Sequence, residues 1–455
     1  MATGDSNPID EQDHTNATAA NPIAQAQDDN VPRKARTIIC AVLLCAACAE
    51  FVARGTSRAP GNSADFAVFY TDSRAWLEGA NPYDVEDLRR VARESGGAPD
   101  ASLKNSAYPP ATFIVLAPVS VLRWPAAKIA WTAINTAAVL VVALGLVRLA
   151  GLSFAQPAGM LLAAGTLALA PMHTSVHTGQ LTPVLLACIV MACLLDGKRR
   201  VWLGGALLAI AAALKPQVGL LFVGFEFIRG RFRVALTAIV FTALLFAAAI
   251  GWLAVNDVDW VASWHDNYHA FMHGGSGDPG PINPGRHQLL NLHYPLRTFL
   301  PAGPAIQVIT LSFVGAVGIV GLIPLMKLRG RSAELLGLGL FGVLSLLAVY
   351  QRYYGAVLLI FPLAWAVVEL HSGRARTLPV ISLALTAVFL APTATVLKIA
   401  ADKGYVPAAV ADSQWWQGLV MPHQVYALAA MAVVLVAAAW QARRRNRVTA
   451  ATCGN

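Results

Sequence analysis

The chain has 455 residues, is 56% hydrophobic and only 13% charged, and has a mean hydropathy of +0.55. A soluble core does not hide that much apolar surface; the long apolar runs mark a multi-pass membrane protein, in which each crossing needs ~20 apolar residues. The formal net charge of +9 is spread over short basic clusters beside apolar runs, which fits cytoplasmic loops under the positive-inside rule and not a nucleic-acid-binding surface.

Residues 1–36 predict a disordered cytoplasmic tail. The run is polar and acidic, with Asp5, Asp10, Glu11, Asp13, Asp28 and Asp29, and Arg33, Lys34 and Arg36 then hold that end inside. The first apolar run, about 37–52, lacks a convincing small-residue cleavage site after it and reads as a retained first helix. A polar island follows up to Pro110, carrying Phe66, Phe69, Tyr70, Trp76 and Tyr83 among carboxylates. Two helical stretches are expected in it, about 66–79 and 84–95. The first places Phe66, Phe69, Tyr70 and Leu77 near one face, which predicts an amphipathic helix resting on the bilayer. Asp65 stands at its start, where the helix dipole favours an acid. On the residues alone a helix cap is the simpler reading of Asp65, a working carboxylate the other, with Asp72 next in line.

Apolar segments then run at about 110–122, 129–149, 155–171, 181–195, 201–214, 216–228 and 234–254, and after a polar stretch at about 305–326, 333–349, 354–370, 377–397 and 424–441. With the first helix these make thirteen candidates. Arg443, Arg444 and Arg445 put the C-terminus inside, which demands an even number of crossings, about twelve. Either 110–122, framed by Pro109, Pro110 and Pro125, dips in and returns, or 201–214 and 216–228 form one helix kinked at Pro216. The first option keeps Lys198, Arg199 and Arg200 inside. The expected architecture is an all-α polytopic bundle over 37–441, with extracytoplasmic loops at about 54–109 and 255–304 and a basic cytoplasmic tail at 442–455.

Several polar residues stand where a bilayer tolerates them poorly. Lys215 interrupts Leu214-Lys215-Pro216; it either sits in a short loop, snorkelling to the interface, or is a cation for a phosphate. The patch His173–Gln180 is an ordinary loop or a cavity lining. Gln351-Arg352-Tyr353-Tyr354 joins two apolar segments, as interfacial anchors or as site residues. The histidines from His265 to His293 lack metal spacing, and no Walker-type loop or GxGxxG supports a nucleotide donor. Of Cys40, Cys45, Cys48, Cys188, Cys193 and Cys453, five lie in apolar runs and one in the tail, with no disulfide framework.

The ordered set Asp65-Phe66-x-x-Phe69-Tyr70, Gly79-Ala80-Asn81-Pro82-Tyr83, Tyr108-Pro109-Pro110, Gly179-Gln180, Gly204-Gly205, Leu214-Lys215-Pro216, Arg229–Arg233 and Tyr353-Tyr354 resembles glycosyltransferase family 87 over roughly residues 37–370. That family includes mycobacterial polyprenol-phosphate-mannose-dependent mannosyltransferases of the GT-C class. The resemblance implies a bacterial cytoplasmic-membrane enzyme with both termini cytoplasmic. It would take a sugar, mannose first, from a polyprenyl-phosphate donor to a lipid or glycan acceptor on the extracytoplasmic side. It implies Asp65 as the base. Family members often carry a histidine before the Tyr-Tyr pair, where this chain has Arg352. Lys215, Arg352, Arg286 and His177 are the candidates for the leaving phosphate, with Tyr353, Tyr354, Gln180 and Tyr108 beside them. A single base with direct displacement predicts inversion, and the scheme needs no metal and no cofactor. A transporter or flippase of a lipid-linked sugar is the alternative, against which stands the lack of a clear internal repeat.

Overall fold

A computed structural model describes residues 33–97, 106–195 and 200–453; the tail up to residue 32, Lys198 and Arg199 lie outside the described residues. Those described are joined helices with no strand among them, and one isolated antiparallel bridge links Leu289 to Arg352. Seven helices are long and apolar enough to cross a membrane: Lys34–Asn62, Trp124–Leu149, Phe232–Val255, Pro304–Leu325, Arg331–Ala348, Tyr353–His371 and His423–Val448. An eighth span is a pair, Pro157–Ala168 and Ala170–Thr178, bent by 49°. At the bend the Ala170 amide turns to the Phe389 carbonyl at 3.1 Å, which satisfies a donor the broken helix has freed. Pro110–Ser120, Thr182–Leu195, Val201–Leu214, Pro216–Ile228 and Thr377–Ala387 are apolar but shorter.

The two ends of the bundle differ in their polar contacts. At one end Arg229 donates to the Leu328 carbonyl at 2.9 Å, and Arg231 joins Glu226 and Glu334 at 3.2 and 2.9 Å. Arg445 there reaches Glu369 at 3.3 Å. Glu226 and Glu369 are buried, and a buried carboxylate keeps its charge only beside such a partner. The opposite end holds the two long polar stretches, which interlock. Asn81 donates to the Asp259 carbonyl and the Ser263 hydroxyl, each at 3.2 Å, and Asn267 to the Tyr83 carbonyl at 2.8 Å.

The helices expected in the first polar stretch form as Ala64–Leu77 and Val85–Glu94. Asp84 starts the second, accepting from the Glu86 and Asp87 amides at 2.9 and 3.0 Å. The first does not rest its aromatic face on the bilayer. Phe66 and Tyr70 are fully buried and Phe69 nearly so. Phe66 stacks on Trp124 and Trp131, with ring centroids at 5.6 and 5.2 Å. Periodicity shows that a helix has an apolar face; here protein and not lipid covers it.

Pro110–Ser120 begins and ends among these loop helices. Ser73 donates to the Phe113 carbonyl and Arg74 to those of Ser120 and Val121, and the Trp124 amide to the Ser95 carbonyl. Val201–Leu214 and Pro216–Ile228 are not one kinked helix. A Cβ on Gly219 would lie 2.4 Å from the backbone of Ala212, where a continuous helix would leave ~10 Å of rise. The chain doubles back at Lys215–Pro216, and each arm is only ~20 Å long against a ~30 Å hydrocarbon core.

The hairpin closes only because residue 219 has no side chain. Gly219→Ala should lower the melting temperature in detergent, since overpacking costs ~1–3 kcal/mol. Gly224→Ala, where a Cβ meets open space, should hold or raise it; equal melting of the two variants would contradict this packing.

Candidate active site

A cavity of about 690 Å³ opens at the loop end, where the turn at Lys215 meets the helix Ala64–Leu77 and the chain around Gln351. Asp65 lines it from the first turn of that helix and is half-buried. The residue at the helix's N-cap is Ser63, whose hydroxyl donates to the Ala59 carbonyl at 2.7 Å. The Asp65 carboxylate makes no hydrogen bond among the described residues and stands open to the cavity.

Lys215 lines the same cavity and is 4% exposed, so it does not snorkel to a lipid headgroup. Its Nζ donates to Thr182 Oγ1 at 2.9 Å and Gln180 Oε1 at 3.3 Å, and lies 4.8 Å from the centre of the Tyr354 ring. All three partners are neutral, and no ion pair to Lys215 is found among the described residues. The Gly179-Gln180 pair has a local cause. Gly179, at φ +76, ends the helix Ala170–Thr178 in the left-handed region, and a Cβ there would lie 2.6 Å from that of Phe66. Gln180 is thereby turned toward Lys215.

Arg352 is the second cation on the cavity wall. One Nη donates to Gln288 Oε1 at 2.6 Å, while Nε is buried without a partner among the described residues. Tyr354 and Tyr108 also line the cavity, the latter edge-on to Phe69 at 4.6 Å. Burial lifts the Tyr108 phenol well above its ordinary range, which keeps it a neutral donor.

Four of the sequence candidates do not line the cavity: Gln180 stands behind Lys215, and the other three lie elsewhere. Tyr353 points away, stacked on Phe389 with its hydroxyl 3.3 Å from that residue's carbonyl. His177 Nε2 pairs with the Asn62 amide at 2.8 Å, and Arg286 donates to Gln417 at 3.0 Å over the Tyr294 ring; neither lines the cavity. The cavity also takes in Gln307, which carried no motif, together with His293 from the histidine-rich stretch and the Gln351 side chain that precedes Arg352. The one signal was backbone pairing of 289–292 with 347–352, which is non-local and silent in a linear reading.

Asp72 is sealed from this cavity. It is fully buried, accepts from Ser106 Oγ at 2.5 Å, and its other oxygen has no partner among the described residues. Burial raises its carboxyl well above the ordinary 3.8, with Ser106 opposing, which favours the protonated form.

The glycosyltransferase family 87 model matches residues 107–350. The chain belongs to glycosyltransferase family 87. It is therefore a membrane glycosyltransferase, and no curated protein and no solved structure matches it. The matched span holds Tyr108 and Lys215 of the cavity wall, and Gln180, which supports Lys215 from behind. Asp65 and Arg352 fall outside the span and enter the site through the fold.

The Asp72 proton has a measurable consequence. Below about pH 3.8 both folded and unfolded chains carry it; above that value the unfolded chain loses it first, so this group's contribution to stability falls as pH rises. Asp72→Asn should be at least as stable as the parent at neutral pH, with the advantage shrinking toward pH 4. Thermal melts across that range would refute this if the variant were weaker at neutral pH alone.

Proposed function

We propose that this protein transfers a sugar, mannose by its resemblance, from a polyprenyl-phosphate donor to an acceptor hydroxyl, with inversion. One observation carries the reading: an unpartnered carboxylate, Asp65, shares a single cavity with two cations, Lys215 and Arg352. The acceptor oxygen attacks the anomeric carbon while Asp65 takes its proton. The bond from that carbon to the phosphate oxygen breaks, and its electron pair leaves with the phosphate, beside Lys215 and Arg352. Charge stays balanced throughout. Before transfer the two cations face a carboxylate and a phosphodiester; afterwards they face a neutral acid and a phosphate dianion. Tyr108, Tyr354 and Gln180 serve as neutral walls and props.

A lipid-linked donor is supported by a second cavity, of about 150 Å³ and lined wholly by apolar residues, among them Leu221, Val314, Gly318 and Leu322. It shares Ala348 with the first. Gln307 and Leu311 in the first cavity and Val314, Gly318 and Leu322 in the second follow at steps of three or four along one face of Pro304–Leu325. An isoprenoid chain leaving the phosphate would lie along that face.

The positive-inside rule puts the arginine-rich end in the cytoplasm and the cavity outside. Twelve crossings follow if the seven long helices, the bent pair and the shorter helices other than Pro110–Ser120 all traverse, so that both termini are cytoplasmic. The acceptor is a lipid or glycan at the outer face.

Membranes holding equal amounts of parent and Asp65→Asn, given polyprenyl-phosphate mannose, test the reading. Transfer should fall ~10²–10⁴-fold in the variant, the usual worth of a general base. Equal transfer would remove Asp65 from that role. A parent that moves the donor across the bilayer without consuming it would be a transporter.

A further inference from the structure

We propose that Gln351 and His293 form the subsite that reads the hydroxyl groups of the donor sugar, so that two neutral side chains, and not the cations, decide which hexose is transferred. The inference rests on the donor reading above and goes beyond it, because it assigns sugar selectivity to residues outside the charged wall.

Both residues line the cavity. Gln351 is 2% exposed, and its carboxamide nitrogen has no partner among the described residues. A buried donor left unmade costs ~1–3 kcal/mol, a cost removed when a ligand supplies the acceptor. His293 repeats the pattern: its Nε2 is buried without a partner among the described residues. Burial lowers its pKa, so the ring stays neutral, with one nitrogen donating and the other accepting. An amide and a neutral imidazole suit a hydroxyl, which also donates and accepts. A phosphate oxygen is better served by Lys215 or Arg352.

The pair is also rigidly placed. The Leu290 amide donates to the Gln351 carbonyl at 2.9 Å and the Leu292 amide to the Leu347 carbonyl at 3.1 Å. These bonds, with the Leu289–Arg352 bridge, register the chain before His293 against the chain around Gln351. Gly355 leaves room for the amide: a Cβ there would sit 2.9 Å from Gln351 Oε1. Arg352 follows Gln351 directly, so the groups assigned to sugar and phosphate are neighbours, as they are in a sugar phosphate.

The test pairs variants with substrates. Polyprenyl-phosphate mannose and its 2-, 3-, 4- and 6-deoxy analogues would be assayed with the parent, Gln351→Leu, His293→Leu and the conservative His293→Gln. With the intact sugar each leucine variant should lose about ten- to hundredfold in kcat/KM. Each should then show no further loss on one deoxy analogue that the parent discriminates against, and His293→Gln should recover part of that discrimination. Inhibition by sugar-free polyprenyl phosphate should stay within about twofold of the parent, which a structural or phosphate-binding role would not allow. An unchanged pattern across the analogues, or weakened polyprenyl phosphate binding, overturns the proposal. A parent inactive with every lipid-linked hexose overturns the donor reading itself, and shows it before any variant is compared.

Discussion

The site depends on a buried ammonium group that makes no ion pair among the described residues. Lys215 sits on a turn between two apolar arms, and its direct partners are neutral: a threonine hydroxyl, a glutamine oxygen and an aromatic face. Removing a charge from water to such a place is costly unless something anionic arrives. The structure maintains the arrangement from several directions. Pro216 removes the backbone donor that would continue the helix, and Gly219 lets the second arm close on the first. Gly179 turns Gln180 inward, and Thr112 donates to the Ala213 carbonyl at 2.9 Å just before the turn.

Asp65 is fixed by hydrophobic contact. Its own carboxylate is unbonded among the described residues, so its position comes from the next residue, Phe66, stacked on two tryptophans of the helix Trp124–Leu149. A base that must meet a hydroxyl within hydrogen-bond reach needs that rigidity, because effective positioning contributes as much as basicity. The aromatic content of the first polar stretch therefore serves the carboxylate. The same packing explains why Asp72, two turns further along the helix, is lost to the cavity: it faces Ser106 and the protein interior.

Much of this was legible in the sequence, where one local signal decided the matter. The apolar runs gave the helices. Lys215 stood between two readings, a loop or interfacial lysine and a cation for a phosphate, and Asp65 read more simply as a helix cap, its role as base coming only from the family resemblance. The face of Ala64–Leu77 was misassigned because periodicity is the same whether lipid or protein covers it. The choice between a kinked helix and a hairpin turned on one glycine contact between residues 212 and 219, which hydropathy does not register. Tyr353 and Tyr354 are adjacent in sequence yet part ways, one toward Phe389 and one beneath Lys215, because successive side chains of a tight turn point in different directions. His293 and Gln351 needed a long-range backbone pairing to meet.

Depth and dryness follow from the same geometry. A glycosyl donor activated by phosphate can be captured by water as well as by the intended hydroxyl, so transfer needs a cavity from which bulk water is excluded. Here the turn between the two arms places Lys215 on the cavity wall, with the helix Ala64–Leu77 and the stretch Val261–Met272 forming other parts of that wall. In the proposed function the phosphate of a lipid-linked donor reaches it from the bilayer side, along the apolar face of Pro304–Leu325. A soluble nucleotide sugar would have to descend to it through the aromatic cover of Tyr268 and Phe271. The position of one buried cation thus favours a substrate that arrives sideways from the membrane.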